Sequence, residues 1–362
     1  MDFGLSDDQK LLDETVRAYL ADQVPITRIR EIRAEGCPNN RSLWKGLAEI
    51  GMTGILIPEA SGGSELSLLD AALVSQALGH AVTPSAFLAS AVLVPIALTG
   101  IHSEEVSTWR SGIATGDLVI GAAITEAFSV REEAGVTLNG DRLNGKAMMA
   151  LDACDADLVL ILIDDDRIAV IRGDAPGLTT TRLTTTDATR CTSELVLENV
   201  SPEAVFDSRR DSITRMFEAG RIVLAADALG AAESMIQQAV SYALDRKQFD
   251  RLIGSFQSVK HMCAEMIADL EPTRSLIWYA AHSFDALPEE TPLMACLALS
   301  HMSEIGREIA SVATQVHGGI GWTDEQNLHF WFKRIGVDRH LLGGPEWLRE
   351  RAAEIQGLAK AS

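Results

Sequence analysis

Basic charge is in short supply in this sequence: 31 Lys and Arg stand against 51 Asp and Glu, for a formal net charge of -20. A surface of that sign repels phosphate backbones and anionic lipid, which sets nucleic-acid and membrane-surface roles aside. Cysteine is sparse and scattered. Cys37, Cys154, Cys191, Cys263 and Cys296 have no paired spacing for zinc and an odd total for a disulfide framework, so they read as buried thiols of a reducing compartment. Long apolar runs are missing as well. The longest, Ala86 to Thr99, falls short of the roughly 20 residues that span a bilayer, contains Pro95, and reads as a buried helix. The opening residues, Met1 to Asp8, lack the basic start and apolar stretch of a secretory signal, and a cytoplasmic location is expected.

What is present is a long, 47% hydrophobic chain with an ordered change of texture. From Ser6 to about Arg110, apolar residues recur at helical spacing: Leu11, Leu12, Val16 and Leu20 form one face, and Leu43, Trp44, Leu47 and Ile50 another. Between Gly112 and Asp207 the pattern shifts to short β-favouring runs such as Leu158 to Ile163. Asn139-Gly140, Asn144-Gly145, Asp164-Asp165-Asp166 and Pro176-Gly177 bound these runs as turns. The triple aspartate reads as a solvated turn between two strands, since adjacent carboxylates on a tight turn rarely converge on a metal. From Asp211 the helical period returns over Ile213 to Leu244, Phe256 to Phe284, Pro292 to Val316 and Asn327 to Leu358, the lengths of a bundle. The expectation is an α+β fold, mostly α, with a helical domain over 1–111, a middle β-barrel-like domain over 112–208 and a helical bundle over 209–362.

Two segments of the bundle have the chemistry of a ligand site. Arg246 to Gln257 is a polar, aromatic, glycine-containing interruption between helices; an arginine fork suits a pyrophosphate, and aromatic edges can cover a planar ring. Gln315 to Thr323 holds Gly318-Gly319 just past a helical run, where bare backbone N–H groups can meet a phosphate or a ring edge. It is no dinucleotide fingerprint, because no strand precedes it. Judged singly, each segment is equally a helix connection or a helix C-cap. His261 and Cys263 lie two apart on a helix and so face apart, which disfavours joint metal binding.

Together these segments resemble the acyl-CoA dehydrogenase family, nearly end to end. Leu43-Trp44, Glu49-Ile50-Gly51, Ile57-Pro58-Glu59 and Gly62-Gly63 resemble its opening helices. Arg246, Gln248, Phe249, Ile253, Phe256 and Gln257 match its arginine-x-glutamine-phenylalanine segment, and Gln315, His317, Gly318, Gly319 and Gly321 its glutamine-x-x-glycine-glycine segment. The resemblance implies that both segments hold the pyrophosphate and adenosine end of an FAD bound mainly by a neighbouring subunit. It also implies that Thr125-Glu126 belongs to the part of the chain that embraces a flavin ring. Here Ala127-Phe128-Ser129-Val130 follows in a shortened stretch, and Met148 and Ala150 stand where relatives have tryptophan and threonine.

The family's α,β-dehydrogenation needs a carboxylate that takes the α-proton while the β-hydrogen leaves as hydride to the flavin. In Leu341-Leu342-Gly343-Gly344-Pro345-Glu346 the usual base position is Gly343, and the alternative one, before Arg221, is Gly220. Glu346, Glu218 and Asp338 are displaced candidates. The asymmetry resembles one half of the heteromeric α2β2 dehydrogenases that actinobacteria use on steroid side chains or rings. It implies a partner subunit that carries the glutamate, an acyl-CoA substrate and an electron-transferring flavoprotein as acceptor. A self-sufficient homotetramer using Glu346 or Asp338, and a flavin-binding relative without dehydrogenase activity, are the alternatives.

Overall fold

The computed structural model describes residues 4–36, 40–128, 134–207 and 209–358; Met1 to Phe3, Cys37, Ser129 and Val130 lie outside them. Helices α1 (Asp7–Gln23), α2 (Ile26–Glu35), α3 (Arg41–Glu49), α4 (Leu68–His80), α5 (Val94–Ala97) and α6 (Glu104–Ala114) come first. Strands β1 (Ile120–Ala123), β2 (Gly135–Asn139), β3 (Arg142–Leu151), β4 (Leu158–Asp164), β5 (Arg167–Arg172), β6 (Leu178–Arg182), β7 (Thr192–Val200) and β8 (Ala204–Phe206) follow. Then come α7 (Arg210–Asp245), the short strands β9 (Lys247–Gln248) and β10 (Arg251–Leu252), α8 (Gln257–Ala286), α9 (Thr291–His317), α10 (His329–Asp338) and α11 (Gly344–Ile355). The mostly helical α+β expectation holds. No helix among the described residues is long and apolar enough to cross a membrane.

The chain divides into two compact units. One comprises Met1–Arg30, Ala72–Thr83 and Arg221–Ser362; the other comprises Glu31–Ala71 and Pro84–Gly220. The second unit is built on one sheet in the order β6-β7-β3-β1-β4-β5-β8, with β2 paired to β3. β1 and β4 run parallel, while the other pairs are antiparallel. Every residue of β1 is buried, and the Ser90 hydroxyl spans it, donating to the Ile120 carbonyl and accepting from its N–H, both at 2.9 Å. The expected buried helix is there in an altered form: Phe87–Leu93 winds as a π-helix and passes into α5, all of it buried. Pro95 explains the widening, because its ring has no N–H and crowds the carbonyl four residues back.

Two turns differ from the sequence expectation. Asn139 pairs with Arg142, so the loop is Gly140-Asp141, one residue further on, with Gly140 taking the positive φ of +66° at its first position. Asn144-Gly145 lies inside β3, not at a turn. Gly145 has φ +131°, and a Cβ on it would stand 2.2 Å from the Gly135 carbonyl of β2, so a close strand approach is what selects glycine. Asp164 at the acidic turn accepts from Arg167 Nε at 2.8 Å and Nη2 at 2.6 Å. Cys154, Cys191, Cys263 and Cys296 remain thiols, two of them buried and two half-buried.

The first unit is the bundle. Gly79 of α4 and Gly230 of α7 let the two helices meet backbone to backbone: a Cβ on Gly79 would lie 2.0 Å from the Asp227 carbonyl, and one on Gly230 would lie 1.8 Å from the Gln76 carbonyl. The same crossing carries a buried ion pair, Arg334 Nε and Nη2 each donating to Asp227 at 2.9 Å, with Arg334 Nη2 also reaching the Thr83 carbonyl. Charge buried this deeply is tolerated only when paired and hydrogen-bonded, and this pair is both.

Candidate functional site

At one end of the bundle α7 stops after Asp245 and the chain makes a tight hairpin. β9 and β10 pair Gln248 with Arg251, leaving Phe249-Asp250 as a two-residue loop in which both residues have positive φ, +52° and +61°. Positive φ at both central positions suits the twist of the strands but strains side chains that are not glycine. Phe249 therefore stands out at the tip, 87% exposed, edge-on to Phe256 at 6.2 Å. The Arg251 guanidinium covers the other side of Phe256 at 3.8 Å. The Ile253 N–H closes the hairpin on the Arg246 carbonyl at 2.8 Å, and a Cβ on Gly254 would lie 2.9 Å from the Ala243 carbonyl. Arg246 and Gln248 are exposed on this hairpin, and Ile253 is half-buried at its base.

The second segment leaves the end of α9. Gln315 is exposed in the last turn, and Gly318 (φ +67°) ends the helix with its N–H on the Thr314 and Gln315 carbonyls. A Cβ on Gly318 or Gly319 would meet nothing within 4 Å, so the backbone there is open to a ligand. The two segments belong to the same end of the unit: Tyr242, whose carbonyl accepts from the Arg246 N–H, stacks on His317 at 4.7 Å and 23°. Sequence reasoning names both segments but misses Tyr242, whose signal is an aromatic four residues before Arg246 on the same helix.

The base positions read differently. Gly343 has φ +125°, and a Cβ there would lie 2.7 Å from Trp347 Cε3, so the ring of Trp347 fills the space in which a longer side chain would begin. Arg221 secures that ring. Its guanidinium lies over Trp347 at 4.9 Å while its Nε donates to the Leu342 carbonyl at 3.1 Å, and Leu342 itself takes a left-handed φ of +54°. Sequence reasoning names Arg221 only as the neighbour of Gly220 and misses its contact with Trp347. Gly220 is buried within α7. Of the displaced carboxylates, Glu346 is 74% exposed in the first turn of α11 beside Arg339 and Arg349, at 3.7 and 3.5 Å. Glu218 is buried 3.9 Å from Arg215, and Asp338 is fully buried at the end of α10.

Thr125 belongs to the other unit. Its hydroxyl donates to the Met148 carbonyl, and the Glu126 carboxylate accepts the Met148 N–H at 2.6 Å, so the short helix Thr125–Phe128 is latched to β3 where Met149 breaks the strand register at φ +53°. Both side chains are thus engaged by this chain's own strand. The donor set at the hairpin end suits a diphosphate, whereas the Thr125-Glu126 latch turns its polar atoms inward.

The family models "Acyl-CoA dehydrogenase, N-terminal domain" and "Acyl-CoA dehydrogenase, C-terminal domain" match residues 6–117 and 210–356. An acyl-CoA dehydrogenase named IpdE2 from Mycobacterium tuberculosis is 30% identical over 353 residues, covering 96% of this chain and 98% of that protein. Among solved structures, the ChsE4-ChsE5 complex from Mycobacterium tuberculosis has a chain 25% identical with a TM-score of 0.89, covering 100% of both chains. The Tcur3481-Tcur3483 steroid ACAD G363A variant shares the fold with a TM-score of 0.88 at 24% identity, covering 98% of this chain and 99% of that one. The chain belongs to the acyl-CoA dehydrogenase family, whose members are FAD-dependent oxidoreductases acting on acyl-CoA.

Proposed function

We propose that this chain is the subunit without a catalytic base in a heteromeric acyl-CoA dehydrogenase. In this reading a second acyl-CoA dehydrogenase-type subunit contributes the glutamate and most of the flavin-ring pocket. Arg246, Gln248, Phe249, Ile253, Phe256, Gln315, Gly318 and Gly319 of this chain hold the pyrophosphate and adenosine side of that partner's FAD. Arg246 offsets diphosphate charge, Phe249 and Phe256 exclude water, and the open backbone at Gly318-Gly319 offers N–H donors. When bound, FAD supplies the acceptor for the hydride leaving the β-carbon of the thioester. Thr125 has a local role in this reading, holding the Met148 bulge.

The observation that carries the proposal is the filled space at Gly343, where Trp347 stands 2.7 Å from a would-be Cβ. A general base must come within hydrogen-bond reach of its proton, and here the first atom of such a side chain would have to displace the Trp347 ring. The multisubunit relatives support the heteromer, and the steroid ACAD among them supports a steroid-derived CoA ester as substrate. The electron acceptor is an electron-transferring flavoprotein, the location cytoplasmic, and the division into 1–111, 112–208 and 209–362 is the proposed domain plan.

Co-expression with candidate dehydrogenase subunits tests the assignment. A stable complex with acyl-CoA dehydrogenase activity is expected, and Arg246→Ala in this chain should speed FAD release from it by about tenfold, the worth of a charge-assisted contact. Activity of the lone chain that Glu346→Gln abolishes would instead favour a self-sufficient enzyme.

A further inference from the structure

His317 is 97% buried in a segment where its neighbours, Gln315 and Gly318, are exposed. Its Nδ1 lies 2.8 Å from the Ala313 carbonyl, which can only accept, so Nδ1 carries the proton. Its Nε2 is buried with no hydrogen-bond partner among the described residues. A histidine that leaves one nitrogen unused is not held for a full pair of hydrogen bonds. What the ring does use is its face, parallel to Tyr242 at 4.7 Å, and its Cβ, which Gly321 approaches so closely that a Cβ on Gly321 would lie 3.0 Å away. One side chain therefore touches the last turns of α7 and α9 and the turn Gly318–Trp322. Tyr242 in turn caps Arg246, where the hairpin begins.

We infer that His317 is a positioning residue: stacked on Tyr242, it fixes the spacing between the Arg246 hairpin and the Gly318-Gly319 backbone, so that the two close as one clamp on the diphosphate-adenosine part of a flavin nucleotide. The clamp rests on the reading given under Proposed function. Its ligand is recognised by two separated features, a diphosphate for the arginine and open amides, and a flat ring for the exposed aromatic edge. The hairpin supplies the arginine and the aromatic edge, and the Gly318-Gly319 backbone supplies the amides. Loss of the stack should loosen both segments together, although no ligand-contacting atom has been removed.

Two measurements test this. In the full-length chain without FAD, backbone hydrogen exchange across 246–256 and 318–322 should speed up in concert in His317→Ala and in Tyr242→Leu, and return to the wild-type rate in His317→Phe, which keeps the flat ring. In the complex with its partner subunit, FAD release followed by flavin fluorescence should be about fivefold faster in His317→Ala, the factor one aromatic pair is worth, and near wild type in His317→Phe. The inference is overturned if His317→Ala and Tyr242→Leu exchange and release FAD as the wild type does while Arg246→Ala releases it faster. It is overturned equally if His317→Phe behaves like His317→Ala, since a flat ring against Tyr242 would then not be what holds the segments. If Arg246→Ala leaves FAD release unchanged, the reading beneath it fails and the cofactor role of the clamp goes with it, whatever the exchange rates show.

Discussion

Replacing Gly343 by alanine adds one methyl group at the proposed base position. Two effects combine. A φ of +125° is a conformation L side chains rarely adopt, and holding one there costs about 1–3 kcal/mol. The new Cβ also starts 2.7 Å from Trp347 Cε3, so the indole must move. Moving it draws the ring away from the Arg221 guanidinium at 4.9 Å, an interaction worth roughly 0.5–2 kcal/mol in a half-buried setting. The expected loss for Gly343→Ala is about 2–4 kcal/mol, read from urea unfolding of the full-length chain by circular dichroism. Because the clash term depends on the indole, Gly343→Ala and Trp347→Ala should be non-additive, with a coupling of about 1–2 kcal/mol in the double-mutant cycle. Gly343→Glu in the lone chain should yield no dehydrogenase activity, since the carboxylate's path is blocked at its first carbon. A Gly343→Ala loss below about 0.5 kcal/mol with additive double-mutant behaviour would refute the reasoning, because the space would then be open.

Other perturbations follow from the bundle and its hairpin. Gly79→Ala and Gly230→Ala each place a Cβ about 2 Å from a facing carbonyl oxygen and should each destabilise by about 3 kcal/mol in the same unfolding assay, with a smaller loss pointing to a looser crossing. Burial opposes ionisation of Glu233, but Arg17 at 3.3 Å, Arg274 and the Gln76 amide outweigh it and hold its carboxyl below the usual range. Its folded-state value being depressed, its contribution is present above the unfolded glutamate value and lost as pH falls through the folded one. Glu233→Gln should therefore flatten the acid limb of the stability curve, and an unchanged limb would contradict the network. Asp250→Gly relieves one of the two positive-φ side chains at the hairpin tip and should stabilise by about 1 kcal/mol, measured as a rise in the urea midpoint.

The helical bundle was legible in the sequence because apolar residues recur at helical spacing over runs as long as α7, and the β module because its strands are short, alternating and punctuated by Gly, Asn and Asp. The two segments proposed to hold the cofactor were legible as residue types but not as geometry. Phe249-Asp250 has none of the Asn-Gly signature of a two-residue turn, and the hairpin forms in spite of local preference, closed by the Ile253 to Arg246 hydrogen bond. At the break after Asp338 the sequence signal is Gly343-Gly344, and Leu342 joins them at positive φ without any signal of its own. Glycine at 343 can be read directly from the sequence. That its space is filled depends on Trp347 one turn along α11 and on Arg221 more than a hundred residues earlier, a three-body contact that no periodicity encodes.

Flavin content per chain is the most direct test of a subunit that serves a neighbour's cofactor while lacking a base of its own. Purified together with its partner, this chain should account for one FAD per pair of unlike subunits, and purified alone it should hold almost none. One tightly bound FAD for every copy of the isolated chain, together with turnover of an acyl-CoA, would contradict the account.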